Sequence, residues 1–138
     1  MKKLLLSSLM FFFATLSYAQ IEGKWKTIDD ETGTPKSIVE IFKKSDGKYF
    51  GRISQLLIKP EHETCVKCSD DRKNKPLVGL EIIRGLKKDG DEFVGGTITN
   101  PKDGKTYKTA IVREGNILKV KALILGIAVK TQTWHLVK

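Results

Sequence analysis

The chain has few of the residues on which catalytic and metal sites are usually built. Its 138 residues include only two histidines, two cysteines and two methionines. No serine or cysteine stands in the nucleophile motif typical of hydrolases, and no combination of side chains nominates a catalytic centre. We therefore expect a protein that is not an enzyme and that carries no cofactor.

Long apolar runs are also scarce. The longest uncharged, mainly apolar run covers residues 4–16, about 13 residues, whereas a membrane-spanning helix needs roughly 20. Lys2 and Lys3 precede this run, and Ser17-Tyr18-Ala19 follows it with small residues at the two positions that signal peptidase reads. We expect residues 1–19 to be a cleaved secretory signal. The rest would be a soluble protein, periplasmic or secreted, and not a lipoprotein, because the residue directly after Ala19 is Gln20 and not a cysteine.

Acidic residues are outnumbered by basic ones. The chain carries 25 Lys and Arg against 16 Asp and Glu, a net charge of +9, and loss of Lys2 and Lys3 would leave +7. The lysines are spread along the chain, without an arginine cluster or a basic stripe interleaved with aromatic residues. We therefore expect no nucleic-acid partner, whereas an anionic component of the cell envelope is a possible partner for a basic exported protein.

Short β-rich runs separated by turn signals make up the remainder. Asp-Gly steps such as Asp46-Gly47 favour tight hairpins, because their backbone needs positive φ. Eight strands are predicted, at about residues 23–29, 36–44, 48–57, 79–87, 92–99, 105–113, 117–125 and 128–137. Successive hairpins predict an all-β, eight-stranded antiparallel up-and-down barrel, lipocalin- or calycin-like, as a single domain over residues 20–138. Such a barrel is either filled by side chains or holds one small ligand.

Two stretches depart from a plain strand-and-turn pattern. Within the strand at 92–99, alternation predicts that Val94, Gly96 and Ile98 share a face, and Gly95-Gly96 predicts a bulge, a bend or close approach of another backbone. The apolar segment 122–129 is longer than a hairpin tip needs. It would either cap the barrel or form an exposed patch.

The aromatic residues, 8% of the chain, supply the candidates for a ligand site. We interpret Trp25, Tyr49, Phe93, Tyr107 and Trp134 as candidate ligand-binding residues. The alternative is that they pack the core.

A long connection, residues 58–78, contains both cysteines and is unusual in a compact domain. In an oxidising compartment Cys65 and Cys68 favour a disulfide. It would stiffen this loop and add about 2 kcal/mol at most to the free energy of unfolding. A metal site remains an alternative because His62, Cys65 and Cys68 have ligand-like spacing. A thiol-redox site is another, because Lys67 would favour the thiolate.

The chain resembles the exported bacterial family named domain of unknown function (DUF) 2147. The resemblance is carried by an ordered set of motifs: Gly23-x-Trp25, Asp29-Asp30-x-Thr32-Gly33, Tyr49-x-Gly51-x-Ile53, Cys65-x-x-Cys68 with Lys75-Pro76, Gly79-x-x-Ile82, Gly95-Gly96-x-Ile98, Asn100-Pro101-x-x-Gly104-Lys105-x-Tyr107 and Thr131-Gln132-Thr133-Trp134. It implies a lipocalin-type barrel in which Trp25 plugs one end. The family has no established activity to transfer.

Three functions are therefore open. The first is a non-enzymatic exported protein that binds a small apolar or amphiphilic ligand, or an envelope component, at a barrel mouth shaped by the 58–78 loop. The second is a metal-binding or thiol-redox protein that uses His62, Cys65 and Cys68. The third is a structural or interaction protein whose barrel interior is filled.

Overall fold

The computed structural model describes residues 20–138, and this part of the chain contains eight strands and no helix. The strands are β1 (Gly23–Ile28), β2 (Pro35–Lys43), β3 (Tyr49–Leu56), β4 (Glu81–Asp89), β5 (Glu92–Thr99), β6 (Thr106–Glu114), β7 (Ile117–Ile124) and β8 (Ile127–Leu136). Among the described residues no helix is long and apolar enough to cross a membrane. The predicted signal, residues 1–19, lies outside the described part.

Each strand pairs antiparallel with the next, and β8 pairs with β1, which closes the barrel. This confirms the predicted eight-stranded antiparallel up-and-down barrel. The observed strand bounds lie within two residues of the predicted ones. The agreement follows from the turn residues, since Asp-Gly and Glu-Gly steps between β-rich runs leave little freedom in where a strand stops.

Alternation of side chains sorts each strand into an inner and an outer face. On β7, Leu118 and Val120 are buried inside the barrel, whereas Lys119 and Lys121 between them lie outside and are partly exposed. This is the arrangement that a period of two predicts for a sheet with one solvated face.

A bulge on β5 changes the predicted faces of that strand. Phe93 pairs with Ile111 and Gly96 with Thr109, so β5 has one more residue than β6 between these pairs. Gly95 takes a φ of 77° within the bulge. The extra residue puts Phe93 on the same side as Gly96 and Ile98, and the prediction that Val94 shares their face is wrong.

Gly96 also marks a close approach of two backbones. A Cβ at this position would lie 2.6 Å from the carbonyl oxygen of Arg84 and 2.8 Å from the amide nitrogen of Leu86, both on β4. The predicted bulge and the predicted close approach therefore both occur, at adjacent glycines.

An up-and-down barrel places alternate connections at opposite ends. The end formed by segment 20–22 and the connections 44–48, 90–91 and 115–116 is called the closed end. We call open end the one formed by the connections 29–34, 57–80, 100–105 and 125–126. The two ends are filled differently.

The closed end is packed with large side chains. Trp25 is fully buried and donates a hydrogen bond from Nε1 to the carbonyl oxygen of Ile21 at 2.8 Å. The Arg113 guanidinium lies 5.2 Å from the centre of the Trp25 ring and donates to the carbonyl oxygen of Gln20 at 2.6 Å. These contacts hold the N-terminal segment across this end of the barrel.

Candidate ligand-binding site

A cavity of about 670 Å³ occupies the half of the barrel nearest the open end. That volume would hold about twenty water molecules. Its walls are mainly apolar, and the inward-facing apolar residues include Ile53, Leu56, Leu77, Ile82, Ile98, Val120, Ala122 and Trp134. The barrel interior is thus not filled throughout, whereas a structural or interaction role stays a prediction.

The cavity exists because small and hydroxyl-bearing residues occupy inward positions in this half. Thr27, Ser37, Thr99 and Ala122 line the cavity, and these side chains are too small to fill the space between its walls. The hydroxyl oxygens of Thr27 and Ser37 lie 2.7 Å apart, so these buried groups satisfy each other across β1 and β2.

A strip of polar side chains crosses one wall of the cavity. The indole Nε1 of Trp134 donates to Oε1 of Gln132 at 3.0 Å, and Nε2 of Gln132 donates to Oδ2 of Asp30 at 2.8 Å. Lys130 forms an ion pair with the same carboxylate oxygen. We call Asp30, Lys130, Gln132 and Trp134 the polar strip.

The polar strip also keeps Asp30 ionised. Burial acts to raise the pKa of Asp30, but hydrogen bonds from Lys130 and Gln132 outweigh it and bring the pKa below its ordinary value of 3.8. At the cavity mouth there is therefore a half-exposed carboxylate with the Lys130 ammonium group beside it, and Ile82 and Ile98 lie on the opposite wall.

The connection 57–80 is an ordered part of the open end. Cys65 and Cys68 form a disulfide, which confirms the predicted bond. Hydrogen bonds from the Cys65 amide to the Lys75 carbonyl and from the Asn74 amide to the Cys65 carbonyl, each 2.9 Å, fold the segment back on itself. Both cysteines are buried in the core of the molecule.

Two arginines tie this connection to the barrel. Arg72, with 5% of its surface exposed, donates to Oδ2 of Asp70 at 2.6 Å and to the carbonyl oxygen of Glu81 at 2.9 Å. These hydrogen bonds from Arg72 hold the pKa of Asp70 well below its ordinary range. Arg84 on β4 grips both oxygens of Asp71, at 2.8 and 2.9 Å, in the bidentate geometry that arginine favours.

The 57–80 connection also packs against the neighbouring connection at 100–105. Gly104, with a φ of 74°, lies so close to the loop that a Cβ there would overlap the carbonyl oxygen of Lys67. Lys102 then reaches Glu31 at 3.1 Å, in the connection between β1 and β2. Three of the four open-end connections are thus linked around the cavity mouth.

Comparison with known proteins assigns the chain to a family. A family model described as an uncharacterized protein conserved in bacteria, DUF2147, matches residues 23–136. The chain belongs to the DUF2147 family. No curated protein sequence matches it.

One solved structure shares the fold of this DUF2147 chain. It is the protein HP1028 from Helicobacter pylori, described as belonging to the lipocalin family. The two are 22% identical, with a TM-score of 0.74 over 86% of this chain and 84% of the other. At that identity the likeness concerns the fold, and it agrees with the lipocalin-like barrel that the family resemblance implied.

The five predicted aromatic residues divide between the two ends of the DUF2147 barrel. Tyr107 and Trp134 line the cavity. Trp25, Tyr49 and Phe93 are packed in the core outside it, where the Tyr49 and Phe93 rings meet edge to face at 5.0 Å. Ligand binding by these residues stays a prediction, and the geometry favours the first two.

The alternative metal site loses its sulfur ligands in this structure, because Cys65 and Cys68 are bonded to each other and neither sulfur is a thiolate that could bind a metal. The thiol-redox alternative stays a prediction, since a disulfide is also the oxidised form of a redox pair. His62 lies at the cavity mouth with 52% of its side chain exposed, 3.8 Å from Glu61. Within residues 20–138 no three His, Cys, Asp or Glu side chains are grouped as metal ligands.

Of the polar strip, only Trp134 was among the residues predicted from the sequence. Asp30 belongs to an acidic turn that reads as solvated, and its partners Lys130 and Gln132 are about a hundred residues away in the chain. One signal was present, because Gln132 is two residues before Trp134 and so shares its inward face. A polar amide at an inward position is a reason to look for a buried partner.

Proposed function

We propose that this protein is an exported, non-enzymatic binding protein that holds a small apolar or amphiphilic molecule in its barrel cavity. The supporting observation is the open cavity of about 670 Å³ with mainly apolar walls. Pockets for small organic ligands usually measure roughly 300–1,000 Å³ and are mainly apolar with a few polar groups. Binding would draw on the apolar surface that the ligand and the walls remove from water.

The polar strip supports an amphiphilic ligand over a purely apolar one. A ligand hydroxyl, amide or ammonium group could hydrogen-bond Asp30, whose carboxylate has acceptor capacity beyond its bonds to Gln132 and Lys130. The apolar part would lie against Ile82 and Ile98 on β4 and β5. A few polar groups on one wall of an apolar pocket fix the orientation of a ligand.

The test is a titration with a fluorescent fatty-acid analogue and with 1-N-phenylnaphthylamine, comparing two matched substitutions. Ala122 lines the cavity, so Ala122→Phe would fill space that a ligand needs. Ala128, on the next strand, is exposed and does not line the cavity, so Ala128→Phe adds the same ring outside. We expect Ala122→Phe to weaken probe binding roughly tenfold or more and Ala128→Phe to leave it unchanged.

Native mass spectrometry of protein purified from its own cell envelope completes the test. We expect an additional non-covalent mass on the native protein that is absent after denaturation, and less of it on the Ala122→Phe variant. Probe binding that is equal in both variants, together with a native mass equal to the bare chain, would count against the cavity as a ligand site.

A further inference from the structure

Among residues 20–138, the exposed large hydrophobic side chains lie at one end of the barrel. In the described residues, eight large hydrophobic side chains are exposed, and all of them lie in two connections of the open end or beside them. They are Leu57, Ile58, Val66, Val78, Ile124, Leu125, Ile127 and Val129. Soluble proteins expose single apolar residues at scattered positions, and a concentration of this kind marks an interaction surface.

The most exposed part of this apolar surface is the tip of the β7–β8 hairpin, residues 124–129, which we call the apolar tip. Leu125 is 97% exposed and Ile127 69% exposed. Leu125 also has a φ of 50°, a conformation in which Asn or Gly is less strained than leucine. A polar residue at this turn would suit both the backbone and the solvent, so folding alone does not explain the leucine.

The hairpin behind the apolar tip is basic. Residues 117–136, which form this hairpin, contain three lysines and no Asp or Glu. Lys108 on β6 pairs with Leu123, and Lys121 lies two residues further from the tip, both on the outer face of the barrel. At roughly 3.3 Å per strand residue, the backbone positions of these two lysines lie about 7–13 Å behind Leu125 along the strand.

We propose that the open end docks on an anionic lipid membrane, with the apolar tip inserted into the interface and Lys108 and Lys121 at the level of the lipid headgroups. Apolar side chains ahead of lysines at this spacing match a bilayer surface, where acyl chains lie below negatively charged headgroups. A second copy of the chain fits less well, because it would bring the same lysines towards each other.

Docking in this orientation would place the cavity mouth on the membrane. Ile58, Ile124 and Val129 are exposed to solvent and also line the cavity, so the apolar walls continue onto the docking surface. An amphiphile could then pass between bilayer and cavity without crossing water. Membrane docking itself does not depend on the cavity being occupied.

The test measures flotation of the purified protein, residues 20–138, with vesicles of phosphatidylcholine containing 30% phosphatidylglycerol and with vesicles of phosphatidylcholine alone. Leu125→Asn with Ile127→Thr removes the apolar character while keeping residues suited to each backbone position. We expect this double variant to bind anionic vesicles roughly tenfold or more weakly than the wild type, because it loses the side chains that would be buried.

A charge-matched pair of variants tests the lysines. We expect Lys108→Gln with Lys121→Gln to weaken binding to anionic vesicles roughly tenfold, since each lysine near such a surface contributes to attraction. Lys24→Gln with Lys87→Gln removes the same charge from exposed closed-end positions and should change binding far less. Thermal unfolding of each variant confirms that it is folded.

Three results would overturn the proposal. The first is wild-type protein that does not float with anionic vesicles at low salt, and the second is equal flotation of the tip variant and the wild type. The third is a stable dimer in analytical ultracentrifugation that the tip variant abolishes, which would assign the apolar tip to a protein contact. Probe binding in the cavity is measured separately on the same variants, so loss of docking and loss of ligand binding are distinguished.

Discussion

The two ends of this barrel are built from the same strands, yet one is solid and the other hollow. At the closed end the inward positions carry Trp25, Tyr49 and Phe93, whose rings fill the interior. At the open end Thr27 and Ala122 take equivalent inward positions and leave a cavity. An alternating pattern decides which side chains point inward, whereas their volumes decide whether a space remains.

The ends also differ in how they are closed. Short turns and the N-terminal segment cover the closed end, and Arg113 stacked on Trp25 reinforces them. The open end instead has the long 57–80 connection, which is fastened at its side by Arg72 and Arg84 and leaves the mouth accessible. One end of the barrel is therefore closed by packed side chains, and the other contains an open cavity.

The largest expected effect is a loss of stability when the Trp25 ring is removed from the closed end, which tests whether the two ends contribute differently to stability. Trp25→Ala should lower the free energy of unfolding by about 4 kcal/mol, because a large buried ring is replaced by a cavity. Tyr107→Ala, which removes a half-buried ring at the open end, should lower it by about 1 kcal/mol. Urea unfolding measures both, and equal losses would mean that stability is shared evenly between the ends.

An intermediate effect is expected from a substitution that tests whether the 57–80 connection is held rigidly against residues 100–105. Gly104→Ala places a Cβ against the Lys67 carbonyl, whereas Gly33→Ala, at nearly the same φ of 71°, meets no atom within 4 Å. Both variants carry the backbone strain, so their difference isolates the contact with the loop. We expect Gly104→Ala to be about 2 kcal/mol less stable than Gly33→Ala.

Thermal unfolding measures that difference, and hydrogen exchange locates it. Faster exchange at the Cys65 and Asn74 amides in Gly104→Ala, with unchanged exchange on β7, would show that only the connection is loosened. If the two glycine variants unfold at the same temperature, the connection is free to move away from residues 100–105.

The smallest effect is a pH dependence confined to the open end. Asp29, Asp30, Asp70 and Asp71 all lie in open-end connections, and hydrogen bonds hold the pKa of each below 3.8. A carboxyl group whose pKa is lower in the folded than in the unfolded protein stabilises the fold at pH values above its unfolded-state pKa. This stabilisation is lost as the pH falls from the unfolded-state pKa through the folded-state pKa. Solvent screening of these partly exposed groups keeps the effect small.

We therefore expect amide exchange at the open end, corrected for the intrinsic rate, to rise between pH 5 and pH 2.5 before exchange at the closed end does. Asp30→Asn should remove the part of this change seen on β8 near Gln132. Simultaneous loosening of both ends at the same pH would contradict the localisation.

Most of the fold could be predicted from the sequence, since hairpin turns and alternation are local signals. The β5 bulge shows the limit of that approach, because the sequence indicated a special conformation at Gly95-Gly96 but not its direction. The bulge shifts which residues face inward by one position, and only the pairing with Ile111 and Thr109 reveals this shift. Alternation therefore holds only up to the first irregularity in a ladder.

The candidate site could be predicted only in part. Tyr107 and Trp134 were among the predicted residues because aromatic side chains suit an apolar pocket. The predicted set could not be divided between core and cavity, since the sequence does not show at which height along the barrel an inward residue lies. The rest of the polar strip was missed because Asp30 and Gln132 meet only when β8 closes on β1.

By itself the sequence determined the family and the eight strands, and it favoured a disulfide between two cysteines close enough in the chain to meet. The strands and the disulfide depend on residues that are close in the sequence, because turn residues end the strands and a short spacing brings the cysteines together. Only the tertiary structure decided that one half of the barrel is hollow and that the exposed apolar residues collect at that same end. Both properties depend on which strands close the barrel and on the volumes that meet across it, and no local segment contains that information.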